Sequence, residues 1–185
     1  MVKRKKRVSR QSKINAPRVT VRNEKAKIEH ALASKTSVDD LKKLFQSVRG
    51  RRTNKKLKIE LLAVILDRTL PPTAPEDREF VDLRKVWIEG MSRLLSYLSS
   101  YQQRQLANHG YCGAMREQVN SIRKIGTKKY KDLIQIKRPE LSAEYFVFNY
   151  YSHELSLNQR TKIRDLLLKN GCKIPKHEYE TIFSL

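Results

Sequence analysis

Apolar residues recur every three or four positions along most of the chain, and this spacing places them on one face of a helix. In the first half, the pattern predicts a helical segment from Asn23, a helix from Ser37 to Gly50, and another from Arg51 that stops before Pro71. Serine suits the N-cap of a helix and glycine its C-terminal stop, so Ser37 and Gly50 mark the bounds of the second helix.

The most regular apolar stripe follows a proline-rich break and predicts the longest helix of the chain, running to about Asn108 and ended by Gly110. The stripe consists of Phe80, Leu83, Trp87, Met91, Leu94, Leu98 and Tyr101. Such a stripe forms either a seam of the protein core or the seam of a dimeric coiled coil. The core interpretation is favoured, and a homo-oligomer stays open.

Shorter helical segments are predicted in the remaining sequence. They cover residues 111–125, 127–136, 143–155, 157–170 and 175–184. The aromatic composition of residues 143–155 is also typical of a strand, but the length and flanks of this segment favour a buried helix. Ser156 and Gln159 have the spacing of a capping box, which marks the start of the next helix.

The pattern therefore predicts an all-α fold, a compact helical bundle of about six to eight helices. Residues 23–185 form a single helical domain in this interpretation, with a proline-rich linker at residues 70–76. Residues 1–22 are predicted to be a disordered basic arm, because they carry nine basic side chains, no acidic one and no apolar period.

The distribution of charged residues along the sequence indicates the chemical class of the binding partner. The 185 residues include 40 Lys and Arg against 19 Asp and Glu, a net charge of +21. Positive charge concentrates in residues 1–22, 49–58 and 121–138, which together carry as much net charge as the whole chain. A balanced body with basic segments is typical of a protein that binds a polyanion, either nucleic acid or an anionic membrane surface.

The basic segments supply the candidate nucleic-acid-binding residues. Arg51 and Arg52 suit bidentate contacts with phosphates, and Tyr130, which lies among lysines, is expected to stack on a base. The alternative is that Tyr130 is buried and its neighbouring lysines only solvate the surface. The candidates are Arg4, Lys5, Lys6, Arg7, Arg51, Arg52, Lys55, Lys56, Arg123, Lys124, Lys128, Lys129, Tyr130 and Lys131. Phosphate contacts predict little sequence specificity, and RNA is favoured over DNA.

The proline-rich break carries a candidate partner-binding site. Its residues Pro72, Thr73, Ala74 and Pro75 spell PTAP. Together with its acidic flank, this motif resembles the late-domain peptides of retroviral Gag, arenavirus Z and filovirus matrix proteins. The resemblance covers residues 71–77 and implies docking of a host ESCRT-type protein of the membrane-scission machinery. A proline-locked extended segment binds at little entropic cost, although a plain linker between helices is the alternative.

Catalysis is not predicted. The sequence contains none of the common nucleophile, metalloprotease, phosphate-loop or dinucleotide motifs, so we expect a protein that is not an enzyme and has no cofactor. Cys112 and Cys172 lack the paired spacing of a zinc site, and no metal is predicted. Such sparse cysteine usage favours an intracellular, reducing compartment, either the nucleus or the cytoplasm, or a virion if the chain is viral.

Three functional hypotheses remain open at this point. The favoured one is a helical protein that binds nucleic acid through phosphates, of the kind found in viral nucleocapsids or matrices, with PTAP as a docking peptide. The second is a peripheral membrane protein whose basic face meets anionic lipid. The third is a regulator that acts by protein–protein contact.

Overall fold

The structure, a computed structural model, describes residues 10–34, 37–72 and 82–174, and of residues 10–21 the backbone alone. The described residues form eight α-helices and no strand, which confirms the all-α prediction. The helices are α1 (Arg10–Ala33), α2 (Val38–Gly50), α3 (Lys55–Thr69), α4 (Leu83–Arg93), α5 (Ser100–Glu117), α6 (Lys128–Gln135), α7 (Ala143–Tyr150) and α8 (Leu157–Lys169). Short 3-10 helices occupy Ile122–Lys124, Pro139–Leu141 and Ser152–Glu154. The last predicted helix, at residues 175–184, lies outside the described residues.

The chain divides into two compact units, Met1–Thr69 and Leu70–Leu185. The sequence instead predicts a single domain over residues 23–185, with a linker at residues 70–76. The division falls at the start of this linker, where consecutive prolines end α3 because they cannot continue a helix. Each unit buries its own set of apolar side chains.

The first unit is built from α1, α2 and α3, with both α1 and α2 packed against α3. Its buried apolar side chains are Ile28, Leu32, Leu41, Phe45, Val48, Leu61, Leu62, Ile65 and Leu66. Ser37 caps α2 as predicted, since its Oγ accepts a hydrogen bond from the backbone N–H of Asp40 at 3.1 Å.

The start of α1 differs from the sequence prediction. The backbone is helical from Arg10, so residues 10–22 of the predicted disordered arm belong to a helix. The C-terminal part of α1 buries Ile28 and Leu32. Once this part has folded, the helix can extend toward its N-terminus without a second nucleation step. Residues 10–22 therefore need no apolar period of their own to be helical. Residues 1–9 lie outside the described residues.

The predicted long helix over the apolar stripe is wrong, because the structure breaks it into α4 and α5. Leu95 adopts a left-handed φ of 51°, and the backbone N–H of Ser96 donates back to the Met91 carbonyl at 2.9 Å, which closes α4. Ser99 then opens α5 with a capping box to Gln102. Leu83, Trp87, Met91 and Leu98 of the stripe are buried in the second unit, whereas Leu94 is half-buried and Tyr101 is 49% exposed.

The second predicted boundary, at Gly110, is a kink within α5 instead of a helix end. Gly110 has φ 62° and ψ −171°, and helical backbone resumes and continues to Glu117. The helix predicted over residues 111–125 thus ends early and is followed by the 3-10 helix Ile122–Lys124.

The remaining helices of the second unit begin close to where the sequence places them. Thr127 precedes α6, Ser142 caps α7, and Ser156 and Gln159 form the predicted capping box of α8. The segment that could have been a strand by composition is therefore the helix α7, whose Phe146, Val147 and Phe148 are buried.

Candidate nucleic-acid interface

In the first unit, candidate cations lie at the turn between α2 and α3. The Arg51 guanidinium contacts a carboxylate oxygen of Glu24 at 3.1 Å, so an ion pair already occupies part of this side chain. Arg52, Lys55 and Lys56 are exposed. We call Arg52, Lys55 and Lys56 the α2–α3 basic loop. Two of the three cations stand in the first turn of α3, where the helix dipole also favours an anion.

In the second unit, hydrogen bonds join the 3-10 helix Ile122–Lys124 and α6 to α8. The Lys162 ammonium donates to the Ile122 carbonyl at 2.6 Å. The Tyr130 hydroxyl donates to the Leu166 carbonyl at 3.0 Å. These contacts bring cations from separate parts of the sequence to neighbouring elements. We call Arg123, Lys124, Lys128, Lys131 and Lys162 the junction surface.

The cations of the junction surface differ in whether they form ion pairs or hydrogen bonds with other groups of the protein. Lys128 forms an ion pair with Asp132 at 2.7 Å, although 88% of its side chain is exposed. The Lys124 ammonium donates to the Glu117 carbonyl at 3.4 Å. Arg123 and Lys131 are exposed and form no ion pair with any residue that the structure describes. Most of the positive charge here is therefore available to an external anion.

Tyr130 does not take the base-stacking role that the sequence suggests. Its side chain is 3% exposed, and its hydroxyl accepts a hydrogen bond from Asn170 Nδ2 at 3.2 Å while donating to Leu166. Burial raises the pKa of the Tyr130 hydroxyl to about 12, against the opposing effect of the Asn170 hydrogen bond. The alternative interpretation, a buried Tyr130, is correct, and the hydrogen bonds of its hydroxyl with Leu166 and Asn170 fix the side chain in this position.

Lys129 is likewise withdrawn from the candidate interface. Its ammonium lies 4.6 Å from the ring centroid of Trp87, itself buried in the core. Burial lowers the pKa of Lys129 from 10.5 to about 8, while the nearby Glu144 carboxylate acts in the opposite direction. A lysine held over a buried indole is poorly placed to contact a phosphate.

Glu144 completes this internal cluster. Its side chain is buried, and one carboxylate oxygen accepts a hydrogen bond from the backbone N–H of Gly126 at 3.0 Å. Burial raises the pKa of Glu144 above its usual value. The cluster therefore fixes the loop that leads into α6, and its role is structural.

Sequence reasoning missed Lys162, which belongs to the junction surface. The clusters were defined by counting charges along the chain, and Lys162 lies far from residues 121–138. A signal was present in the spacing of Arg160, Lys162 and Arg164 within one predicted helix. Only the packing of α8 against the 3-10 helix shows which of these cations joins the others.

The candidate PTAP site is described only at its first residue. Pro72 is exposed, whereas Thr73, Ala74 and Pro75 lie outside the described residues, as do Arg4, Lys5, Lys6 and Arg7 of the N-terminal segment. The Pro71 carbonyl accepts hydrogen bonds from Arg84 Nε at 2.9 Å and from the Tyr111 hydroxyl at 2.7 Å. The residue that precedes the motif is thus anchored within the second unit.

The described residues also bear on membrane insertion and on metal binding. No helix among them combines the length and the apolar character needed to cross a membrane. Within the same residues, His, Cys, Asp and Glu side chains form no group of three or more that could hold a metal ion.

Comparisons with known proteins give no further guidance, since no family model, no curated protein and no solved structure matches this chain.

Proposed function

We propose that this protein binds nucleic acid, with RNA favoured over DNA, mainly through contacts between its cations and the phosphate backbone. The observation that carries the proposal is the junction surface, where exposed cations of the 3-10 helix Ile122–Lys124 and of α6 lie on elements that neighbour the half-buried Lys162 of α8. The α2–α3 basic loop supplies further cations from the first unit.

The chemistry of these groups favours backbone contacts over base recognition. Lysine and arginine bind phosphates as point charges or bidentate forks, and such contacts position a protein without reading sequence. Because Tyr130 is buried, the junction surface has no aromatic ring at this position for a base to stack on. We therefore expect affinity to depend strongly on salt and weakly on sequence, apart from the pocket considered below.

The test is binding of the full chain to labelled single-stranded RNA and duplex DNA over a series of salt concentrations. Each phosphate contact adds about 0.7 to the slope of log affinity against log salt for a single strand. The double variant Arg123→Gln/Lys124→Gln should lower both the affinity and this slope. Lys42→Gln/Lys43→Gln, which removes the same charge from exposed positions on α2, is the matched control.

Three outcomes would contradict the proposal. One is absence of binding at low salt, and another is affinity that does not change with salt. The third is an equal loss in both double variants, because this would indicate a long-range effect of net charge without a defined interface. Preferential binding of the chain to vesicles that contain anionic lipid would favour a peripheral membrane protein instead.

We further propose that residues 72–75 present a PTAP docking peptide, as in a viral nucleocapsid or matrix protein. The observation that favours this role is the anchoring of the Pro71 carbonyl by Arg84 and Tyr111 next to an exposed Pro72. Thr73→Ala/Pro75→Ala should abolish binding of a PTAP-binding domain from the host scission machinery while RNA affinity stays constant. Unchanged binding of that domain would leave residues 70–76 as a linker.

A further inference from the structure

A surface pocket in the second unit lies between the C-terminal half of α5, α7 and the start of α8, and has a volume of about 410 Å³. Small-molecule pockets in proteins range from about 300 to 1,000 Å³, so this one has room for a small planar ligand. The buried side chains Val119, Val147 and Leu155 line part of it, and polar side chains line the rest.

One wall of the pocket is formed by the kink in α5. Gly110 takes a left-handed φ of 62°, and just beyond it Gly113 packs against His109. A Cβ atom at Gly113 would lie 2.7 Å from the His109 Cβ, a distance that no side chain tolerates. The glycine therefore lets the His109 side chain lie close to the α5 backbone at the rim of the pocket.

The rim carries hydrogen-bonding groups of both kinds. One Glu117 carboxylate oxygen accepts from Asn120 Nδ2 at 2.6 Å, and a carboxylate has further acceptor capacity on both oxygens. Arg116 forms an ion pair with Glu154 and lies 5.1 Å from the ring centroid of Tyr151. Its guanidinium has five N–H donors, and those that its hydrogen bonds with Glu154 and Cys112 leave unused remain for a ligand.

The pocket adjoins the junction surface. Glu117 contributes its side chain to the pocket, while its carbonyl accepts the hydrogen bond from the Lys124 ammonium. Gln159 also lines the pocket, and Lys162 of the junction surface lies about one helical turn further along α8. A nucleotide whose phosphate contacts Lys124 can thus place its base at the pocket.

We propose that this pocket binds an unpaired guanine base of a single-stranded nucleic acid whose phosphates lie on the junction surface, so the proposal rests on the proposed function. Among the bases, guanine offers two adjacent N–H donors on its Watson–Crick edge together with acceptors at O6 and N7. Glu117 supplies the carboxylate for the donors, and Arg116 is the side-chain type that recognises O6 and N7. Val119, Val147 and Leu155 supply apolar contacts for the base, of the kind that pockets for extruded bases use.

The experiment uses the full chain and oligouridines of equal length that carry a single internal guanine, adenine or cytosine, or no substitution. All of them present the same number of phosphates, so differences in affinity report base recognition alone. A single guanine should raise the affinity of the chain about tenfold over plain oligouridine, the discrimination expected of one bidentate contact.

Matched variants localise the effect. Glu117→Gln should abolish the guanine preference, whereas Asp165→Asn, which makes the same charge change at an exposed position on α8, should preserve it. Lys124→Gln should weaken binding of every oligomer by the same factor. Circular dichroism and Tm should be unchanged in the two carboxylate variants.

Failure of this proposal can be told apart from failure of the proposed function. If all oligomers bind equally well with a steep dependence on salt, or if Glu117→Gln keeps the guanine preference, the pocket proposal is overturned and phosphate binding stands. If no oligomer binds, phosphate binding fails, and titration with guanosine 5′-monophosphate decides on the pocket alone. Binding that Glu117→Gln abolishes would then support the pocket, and no binding would overturn it.

Discussion

The ammonium of Lys129 lies over the indole of Trp87, inside the second unit, and this position makes stability depend on pH. The pKa of Lys129 falls from 10.5 to about 8 in the folded chain. Below pH 8 the folded chain bears the full cost of a charge on the half-buried Lys129. Between pH 8 and 10.5 the unfolded chain binds more protons than the folded one, so the free energy of unfolding rises with pH.

Methionine has a shape similar to that of lysine and carries no charge. We therefore expect the Lys129→Met variant to be more stable than the wild type at pH 7. The advantage should shrink by about 1 to 3 kcal/mol as pH rises to 10.5, because one pKa unit corresponds to about 1.4 kcal/mol. Urea unfolding at several pH values measures this difference. Because burial raises the pKa of the neighbouring Glu144 and the Lys129 ammonium lowers it, the two chains are compared on a Glu144→Gln background, where this carboxyl no longer titrates. Parallel stability curves for the two chains would contradict the assigned burial.

Residues such as Lys129 and Tyr130 mark the limit of sequence-based prediction at this scale. Both lie in a basic segment, and nothing nearby in the sequence distinguishes them from Lys128 and Lys131. Their partners, Trp87 and Leu166, are distant in the chain and are brought near only by tertiary packing. Exposure of the neighbouring cations was predictable, whereas withdrawal of these two side chains was not.

At the scale of elements, glycines differ according to whether they lie within a helix or in a loop that connects two helices. Gly126 has φ 74°, and a Cβ there would lie 3.0 Å from Leu166 Cδ1. Gly50 ends α2, takes no left-handed φ, and has no neighbour within 4 Å of an added Cβ. The same substitution should therefore have opposite effects at the two positions.

We expect Gly126→Ala to destabilise the chain by about 1 to 2 kcal/mol, since alanine resists a positive φ and crowds Leu166. Gly50→Ala should stabilise it by about 0.5 to 1 kcal/mol through helix propensity and a less flexible unfolded state. Gly171→Ala, with φ 72° and open space around an added Cβ, measures the cost of the backbone conformation alone. Thermal unfolding compares the three variants, and a destabilising Gly50→Ala would contradict the assigned end of α2.

The sequence predicts helix boundaries correctly where a capping residue marks the start of the helix. It misses a boundary where the apolar spacing continues across the break. Ser37, Ser142 and Ser156 each cap a helix that the sequence places correctly. The break between α4 and α5 contains neither glycine nor proline, so the continuous stripe favoured a single helix. The capping box of Ser99 and Gln102 was the available signal, and it outweighs the stripe because it satisfies backbone N–H groups at a true helix start.

At the scale of the whole molecule, the proposed function raises the question whether both units would contact the same nucleic acid. The α2–α3 basic loop belongs to the first unit and the junction surface to the second. Each cluster lies on exposed turns and helix surfaces of its own unit. If both bind one strand, their phosphate contacts contribute to a single salt dependence, since each contact releases its own counterions.

We therefore expect the effects of variants in the two units to add. The slope of log affinity against log salt for single-stranded RNA should fall by about 1.4 in each of two double variants, Arg52→Gln/Lys55→Gln and Arg123→Gln/Lys124→Gln. In the quadruple variant that combines them (the fourfold variant), it should fall by about 2.8. The salt slope is measured with an RNA long enough to contact both clusters. A short RNA that can contact only one cluster at a time is the control. If the fourfold variant matches Arg123→Gln/Lys124→Gln on the long RNA, the first unit does not contact nucleic acid. The interface then lies in the second unit, where the junction surface and the pocket adjoin.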